Sequence, residues 1–171
     1  MSKPIVAIVG RPNVGKSCLF NRIIRQRVAI VEGEPGVTRD RIYAEAEWLG
    51  HKFLLVDTGG IERDPDVEIQ QATRRQAEEA VREADVILFT VDVRAGLTAG
   101  DEDVADLLRT TNRPVVVVAN KADDATADAY ASEFYALGLG DPIPVSAEHG
   151  RNIGDLLDRG IAHFPPSTAD D

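Results

Sequence analysis

Gly10-Arg11-Pro12-Asn13-Val14-Gly15-Lys16-Ser17 is the stretch on which the fold turns. Before it, residues 5–9 read IVAIV, an unbroken apolar run with the pattern of a strand buried on both faces. After it, Leu19, Phe20, Ile23 and Ile24 recur at helical spacing. A strand, a glycine turn and a helix therefore follow one another without spare residues. Such a turn aims successive backbone N–H groups into one concavity at a helix N-terminus, where unpaired donors and the helix dipole favour anions. Gly10 and Gly15 allow the backbone to approach phosphates closely. Lys16 is placed to reach β- and γ-phosphates, and the Ser17 hydroxyl to ligate Mg²⁺. Cys18 follows beside the α-phosphate position, where its N–H matters more than its thiol; as a side chain it is expected to be a small, partly buried core residue. The chain is expected to bind a nucleoside triphosphate.

Further apolar runs end in motifs of the same chemistry. Residues 53–56 lead into Asp57-Thr58-Gly59-Gly60-Ile61. A carboxylate at a strand's C-terminal end can hold a water on Mg²⁺, as a Walker B aspartate does. Gly59 or Gly60 can present an N–H to a γ-phosphate without steric conflict. Alone, D-x-x-G is an ordinary turn; behind this phosphate loop it predicts a γ-phosphate sensor. Residues 115–119 are followed directly by Asn120-Lys121-Ala122-Asp123. Guanine presents N1–H and N2–H₂ side by side, and the Asp123 carboxylate can accept both in a fork, whereas adenine offers no such pair. This opposes an ATPase or nucleoside kinase. Asn120 can bond the base or tie neighbouring loops, and the Lys121 stem can cover the ring face. Ser146-Ala147-Glu148, after residues 143–145, can give a backbone N–H to guanine O6.

Strands are expected at 5–9, 43–49, 52–56, 86–92, 115–119 and 143–145. The second and third flank Gly50-His51 as an antiparallel hairpin. The others are separated by helical patterns, as right-handed βαβ crossovers require. The prediction is an α/β P-loop NTPase fold. Its sheet is doubly wound and mostly parallel, six-stranded with one antiparallel strand, with helices on both faces and the nucleotide loops at the strands' C-terminal ends. Residues 67–84 form the second helix, with Ile69, Ala72, Ala77, Ala80, Val81 and Ala84 mainly on one side and Glu78 and Arg82 paired on the other. Thr98 and Asp101 predict a capping box for the third helix, and Asn152 and Asp155 a similar cap for the last. Trp48 faces either the core or the exposed hairpin surface.

With these motifs in place, the chain resembles the translational-type GTPases and, among them, the bacterial ribosome-assembly GTPases of the Der (EngA) type, over residues 3–164. The narrower resemblance rests on the phosphate loop, on Pro35-Gly36-Val37-Thr38-Arg39-Asp40-Arg41, on Asp57-Thr58-Gly59-Gly60-Ile61, and on Ser146-Ala147-Glu148-His149-Gly150. Era-like proteins tend to show D-T-P-G where Gly60 stands here. The resemblance implies a GTP-hydrolysing switch in assembly of the large ribosomal subunit, with GTP or GDP and Mg²⁺ bound. It implies that residues 26–41 are switch I, with Thr38 on Mg²⁺, and that residues 59–66 are switch II. Lys16, Thr38 and Gly60 would then serve catalysis. Ras-like GTPases place a glutamine just after D-x-x-G to orient water. Ile61 stands there and has no hydrogen-bonding group, so intrinsic hydrolysis is expected to be slow; a binding module with very weak hydrolysis is the alternative. Where such GTPases carry an asparagine in the position of Asn13, it helps to bind K⁺ against the phosphates; on residues alone, an asparagine in a tight turn is there for its backbone. Arg39 and Arg41 can contact phosphate or a partner. Der-type proteins carry two tandem GTPase domains and a KH-like domain. Here there is one phosphate loop and no repeat, so the chain is expected to be a fragment spanning the first G domain, residues 3–164, with 165–171 as interdomain linker or disordered tail; the alternative is a natural single-domain protein with a ragged tail.

Composition agrees with one cytoplasmic, monomeric domain. The 171 residues suffice for a real core, the single cysteine permits no internal disulfide, and no apolar stretch approaches a membrane span. His51, His149 and His163 follow no ligand spacing, which argues against zinc. The net charge of −10 opposes strong nucleic-acid binding by this domain itself. Any ribosomal affinity is expected from other domains.

Overall fold

The first apolar run becomes the middle of the sheet. In the computed structural model, which describes residues 3–26, 31–32, 42–58 and 69–164, β1 (Ile5–Val9) pairs in parallel with β4 (His51–Asp57) on one side and β5 (Val86–Asp92) on the other. β5 pairs in parallel with β6 (Val115–Asn120), and β6 with the short edge strand β7 (Ile143–Pro144). β3 (Ile42–Trp48) runs antiparallel to β4, and the two-residue β2 (Val31–Glu32) antiparallel to β3. The order is β2-β3-β4-β1-β5-β6-β7. All six expected strands are present and β3 alone runs against the rest; β2 is an added edge strand. The hairpin turns on Leu49 (φ 53°) and Gly50 (φ 85°), one residue earlier than expected. Two positive φ values match the primed turns that suit strand twist.

Helices cover both faces because the strand residues alternate between two cores. Val6, Ile8, Leu88, Val116 and Val118 face one cluster with Leu19, Phe20, Ile23 and Ile24 of α1 (Lys16–Gln26) and Ile153, Leu156 and Leu157 of α5 (Ile153–Ile161). Ala7, Val9, Ile87, Phe89, Val91 and Val117 face the other. There they meet Ala77 and Ala80 of α2 (Ile69–Glu83) and Val104, Ala105 and Leu108 of α3 (Ala99–Leu108). All seven residues of β5 are buried, which is why its run is apolar without alternation. The short α4 (Ala125–Ala129) continues into a 3₁₀ helix, Tyr130–Leu137, whose Phe134 fills the second core.

Local expectations divide. Thr98 and Asp101 form the capping box, each side chain accepting from the other's backbone N–H. Asn152 does not cap α5: its backbone is left-handed (φ 60°), and its Nδ2 donates to Pro144 O at 2.9 Å. The second helix is described over Ile69–Glu83, its expected residues 67 and 68 lying outside the described residues, and Glu78 pairs with Arg74 at 3.7 Å rather than with Arg82. Trp48 is partly buried against the first core and donates through Nε1 to Asp158 Oδ1 at 2.9 Å, fastening the hairpin to α5. Among the described residues, no helix is long and apolar enough to cross a membrane.

Candidate functional site

The phosphate loop leaves β1 through Gly10 (φ 153°) and reaches α1 through Asn13 (φ 71°) and Gly15 (φ 98°). Its glycines answer to neighbours as well as to a ligand. A Cβ on Gly10 would lie 2.5 Å from the Thr90 carbonyl oxygen, and one on Gly15 2.3 Å from Asn120 Nδ2. Lys16 is buried, and its Nζ donates to Gly10 O at 2.8 Å and Arg11 O at 2.9 Å. The lysine thus closes the loop into a ring around the point where phosphates are expected. Cys18 is exposed, not partly buried, because Leu19 and Phe20 take the core-facing side of that first turn.

Asp57 ends β4 fully buried, and Ser17 Oγ donates to its Oδ2 at 3.2 Å. Two hard oxygen donors held this close at the mouth of the loop suit Mg²⁺. Thr58 turns inward, donating through Oγ1 to Ile8 O at 2.9 Å, and so locks β4 against β1. The Arg11 side chain turns away from the cradle: Nε donates to Asp101 Oδ1 at 3.3 Å. Asp101 is fully buried, and burial pushes its carboxyl above the usual carboxylate range, opposed by the Thr98 N–H and the Arg11 charge. The phosphate loop is thereby tied to α3. Pro12 is half-buried and Val14 fully buried. Thr38, Gly59, Gly60 and Ile61 lie outside the described residues, as do Arg39, Arg41 and residues 165–171.

The base end is assembled from separate loops. Asn120 is buried and ties loops together: Nδ2 donates to Val14 O at 2.9 Å, and Oδ1 accepts from Ala147 N at 3.0 Å. Within the Ser146-Ala147-Glu148 loop, the Ala147 N–H is engaged by Asn120, and the Ser146 N–H donates to Arg151 O at 3.1 Å. Lys121, left-handed at φ 70°, donates to Asn13 O at 2.8 Å and pairs with Asp92 Oδ2 at 3.0 Å, so its stem bridges the base loop and the phosphate loop. Asp123 Oδ1 accepts from Ser146 Oγ at 2.7 Å, while Arg94 ion-pairs with Oδ2. The Ser146 hydroxyl foremost holds the Asp123 carboxyl below the usual range; burial, next in size, opposes it, and the Arg94 and His149 charges add to the lowering. Glu148 is exposed; its ligand atoms and those of His149 and Asp123 lie within 4.8 Å of one another, forming a charged rim.

Sequence reasoning missed the residues that bind these loops. Arg22 of α1 donates to Ala147 O at 2.8 Å and Glu148 O at 2.6 Å, clamping the S-A-E loop. Arg151 holds the Ala122 carbonyl and both Asp128 carboxylate oxygens, at 3.2 Å each. Asp92 carried the same signal as Asp57, a carboxylate closing an apolar strand, but no motif pointed to it. Arg22 and Arg151 look like ordinary surface arginines in the sequence.

Phosphate and base loops sit side by side at the C-terminal ends of the parallel strands, which is the arrangement of a P-loop GTPase. The profile of the 50S ribosome-binding GTPases matches residues 5–121, and the chain belongs to that family. It is 61% identical over 165 residues to GTPase Der of Moorella thermoacetica, covering 96% of this chain and 38% of that protein. GTPase Der of Pelotomaculum thermopropionicum is 58% identical over 171 residues, 100% of this chain and 39% of the relative. The chain thus spans about two-fifths of the length of these relatives. Among solved structures, Era in complex with MgGDPNP and nucleotides 1506–1542 of 16S ribosomal RNA superposes with a TM-score of 0.74 at 30% identity, covering 96% of this chain and 58% of Era. The G domain of the Thermotoga maritima FeoB iron transporter shares the fold at 21% identity, with a TM-score of 0.65 over 94% of this chain and 98% of that one.

Proposed function

We propose that this domain binds GTP, hydrolyses it to GDP and phosphate, and acts as a cytoplasmic switch in assembly of the large ribosomal subunit, as the first G domain of a longer Der-type protein. The observation that supports the reading is a carboxylate, Asp123, braced by Ser146 at 2.7 Å, on a loop that Lys121 ties to the phosphate loop through Asn13 O at 2.8 Å. Backbone N–H groups of residues 13–18 hold the phosphates, with Lys16 leaving its loop carbonyls for phosphate oxygens. Asp123 fixes the base edge. Ser17, Thr38 and Asp57 would hold Mg²⁺, which neutralises charge on the phosphate oxygens. Gly60 offers an N–H to the γ-phosphate, and Asn13 would help to hold K⁺ there.

Ile61 cannot orient the attacking water, which favours slow turnover and keeps the alternative of a nucleotide-dependent binding module with very weak hydrolysis. Titration with GTP and ATP, then single-turnover hydrolysis in K⁺ and in Na⁺, tests these points. GTP is expected to bind and to release phosphate faster in K⁺, with ATP doing neither. Equal affinity for ATP overturns the base reading. GTP bound without release in either salt leaves the binding module, and equal rates in both salts leave Asn13 as a turn residue.

A further inference from the structure

The loop after β5 carries no nucleotide motif, yet it reaches the carboxylate expected to read the base. Asp92 organises it: Oδ1 accepts from Arg94 N at 2.8 Å and Ala95 N at 3.2 Å, while Oδ2 pairs with Lys121. Gly96 (φ 77°) returns its N–H to Asp92 O at 3.1 Å, and Leu97 N donates to Glu133 Oε2 at 3.3 Å. The turn therefore fixes where the Arg94 side chain leaves the sheet, and Nη2 meets Asp123 Oδ2. A carboxylate has about four lone-pair sites, two per oxygen. Ser146 uses one on Oδ1 and Arg94 one on Oδ2. One site per oxygen remains, which is the number that two adjacent N–H donors on a purine edge require.

We propose that Arg94 is a positioning residue for base discrimination, holding Asp123 Oδ2 so that the carboxylate presents one acceptor to N1–H and one to N2–H₂ of guanine. Ser146 braces one oxygen and Arg94 the other, so the carboxylate cannot rotate without breaking one of them. The proposal rests on the reading of Asp123 as the base acceptor. The Arg94 side chain is 66% exposed, and an exposed ion pair adds little to fold stability, so removing it is expected to leave the chain folded.

Inosine lacks the N2 amine and needs a single acceptor, so it is the discriminating probe. In Arg94→Ala, the preference for GDP over IDP is expected to fall about fivefold, mainly through weaker GDP binding, with Arg94→Lys restoring part of it. The melting temperature without nucleotide is expected to stay unchanged. An unchanged GDP/IDP ratio, an equal loss of both ligands, or tighter GDP binding would each overturn the proposal; the last would make Arg94 a competitor that guanine displaces. Should Arg94→Ala not fold, Arg94→Gln gives the same comparison with a donor but no charge. Asp123→Asn measured in parallel separates the two failures. If that variant turns to xanthine nucleotides while Arg94→Ala leaves the ratio unmoved, only the role of Arg94 falls; if it still prefers guanine, the base reading falls with it.

Discussion

The two ends of the site are built by different means. The phosphate end is one loop, and its shape comes from backbone: positive φ at Gly10, Asn13 and Gly15, with Lys16 donating to carbonyls of the same loop. The base end is a convergence of side chains. Asn120 reaches Val14 and Ala147, Lys121 reaches Asn13 and Asp92, Arg22 reaches Ala147 and Glu148, and Asp123 meets Ser146 and Arg94. The difference teaches where each end is vulnerable. The first leans most on one residue, because Lys16 alone donates to two carbonyls of its loop, while Asn120, Lys121 and Arg11 tie that loop to its surroundings. The second has several braces, so single losses there should alter preference more than binding itself.

The largest effect is expected from Lys16→Ala. The phosphates lose a buried cation, a cost of about 3–5 kcal/mol by analogy with breaking a buried pair. Gly10 O and Arg11 O also lose their donor, so the melting temperature without nucleotide should drop as well. Calorimetric titration and thermal melts check both. Near-normal GTP affinity would show that the loop backbone alone carries the phosphates.

Asp123→Asn should cost about 2–4 kcal/mol in GTP affinity, since a donor then faces a guanine donor and a charge-assisted bond is lost. Xanthine carries a carbonyl in place of the N2 amine and can accept from the new amide. Competition between GTP and xanthosine triphosphate should therefore reverse, with phosphate contacts unchanged. A variant that still prefers GTP would mean that the side chains gathered at this end serve the fold and not the base.

The smallest effect concerns protonation at the same end. The folded pKa of Asp123 lies below its ordinary value of 3.8, chiefly because Ser146 donates to the carboxylate. A depressed folded pKa contributes stability that is present above the unfolded value and lost as pH falls through the folded one. Its carboxyl carbon, followed by NMR from neutral pH downward, should titrate below 3.8, and Ser146→Ala should move the midpoint up. A midpoint unmoved by that substitution would remove the hydroxyl from the bracing of Asp123.

Much of this molecule was legible before its structure. All six strands, the hairpin and the Thr98 capping box follow from patterns confined to a few neighbouring residues. The cap at Asn152 failed because a left-handed backbone, which no side-chain pattern encodes, sends its amide to Pro144. Glu78 chose Arg74 over Arg82 because both lie one helical turn away and spacing alone does not rank them. Cys18 sat beside a core-facing pair, and only the rotation of α1 on the sheet put it outside.

By itself the sequence determined the strand–loop–helix cradle, the aspartates closing their strands and the order of the motifs, since each depends on local backbone geometry and on which donors a residue type owns. Tertiary structure decided what links those motifs. Nothing in the sequence signals that Arg22 would clamp the S-A-E loop, with 125 positions separating it from Ala147, or that Arg94 would stand beside Asp123, 29 positions further on. Such contacts join residues distant in the chain, through long side chains whose direction is set only once the parallel sheet has brought its loops to one edge.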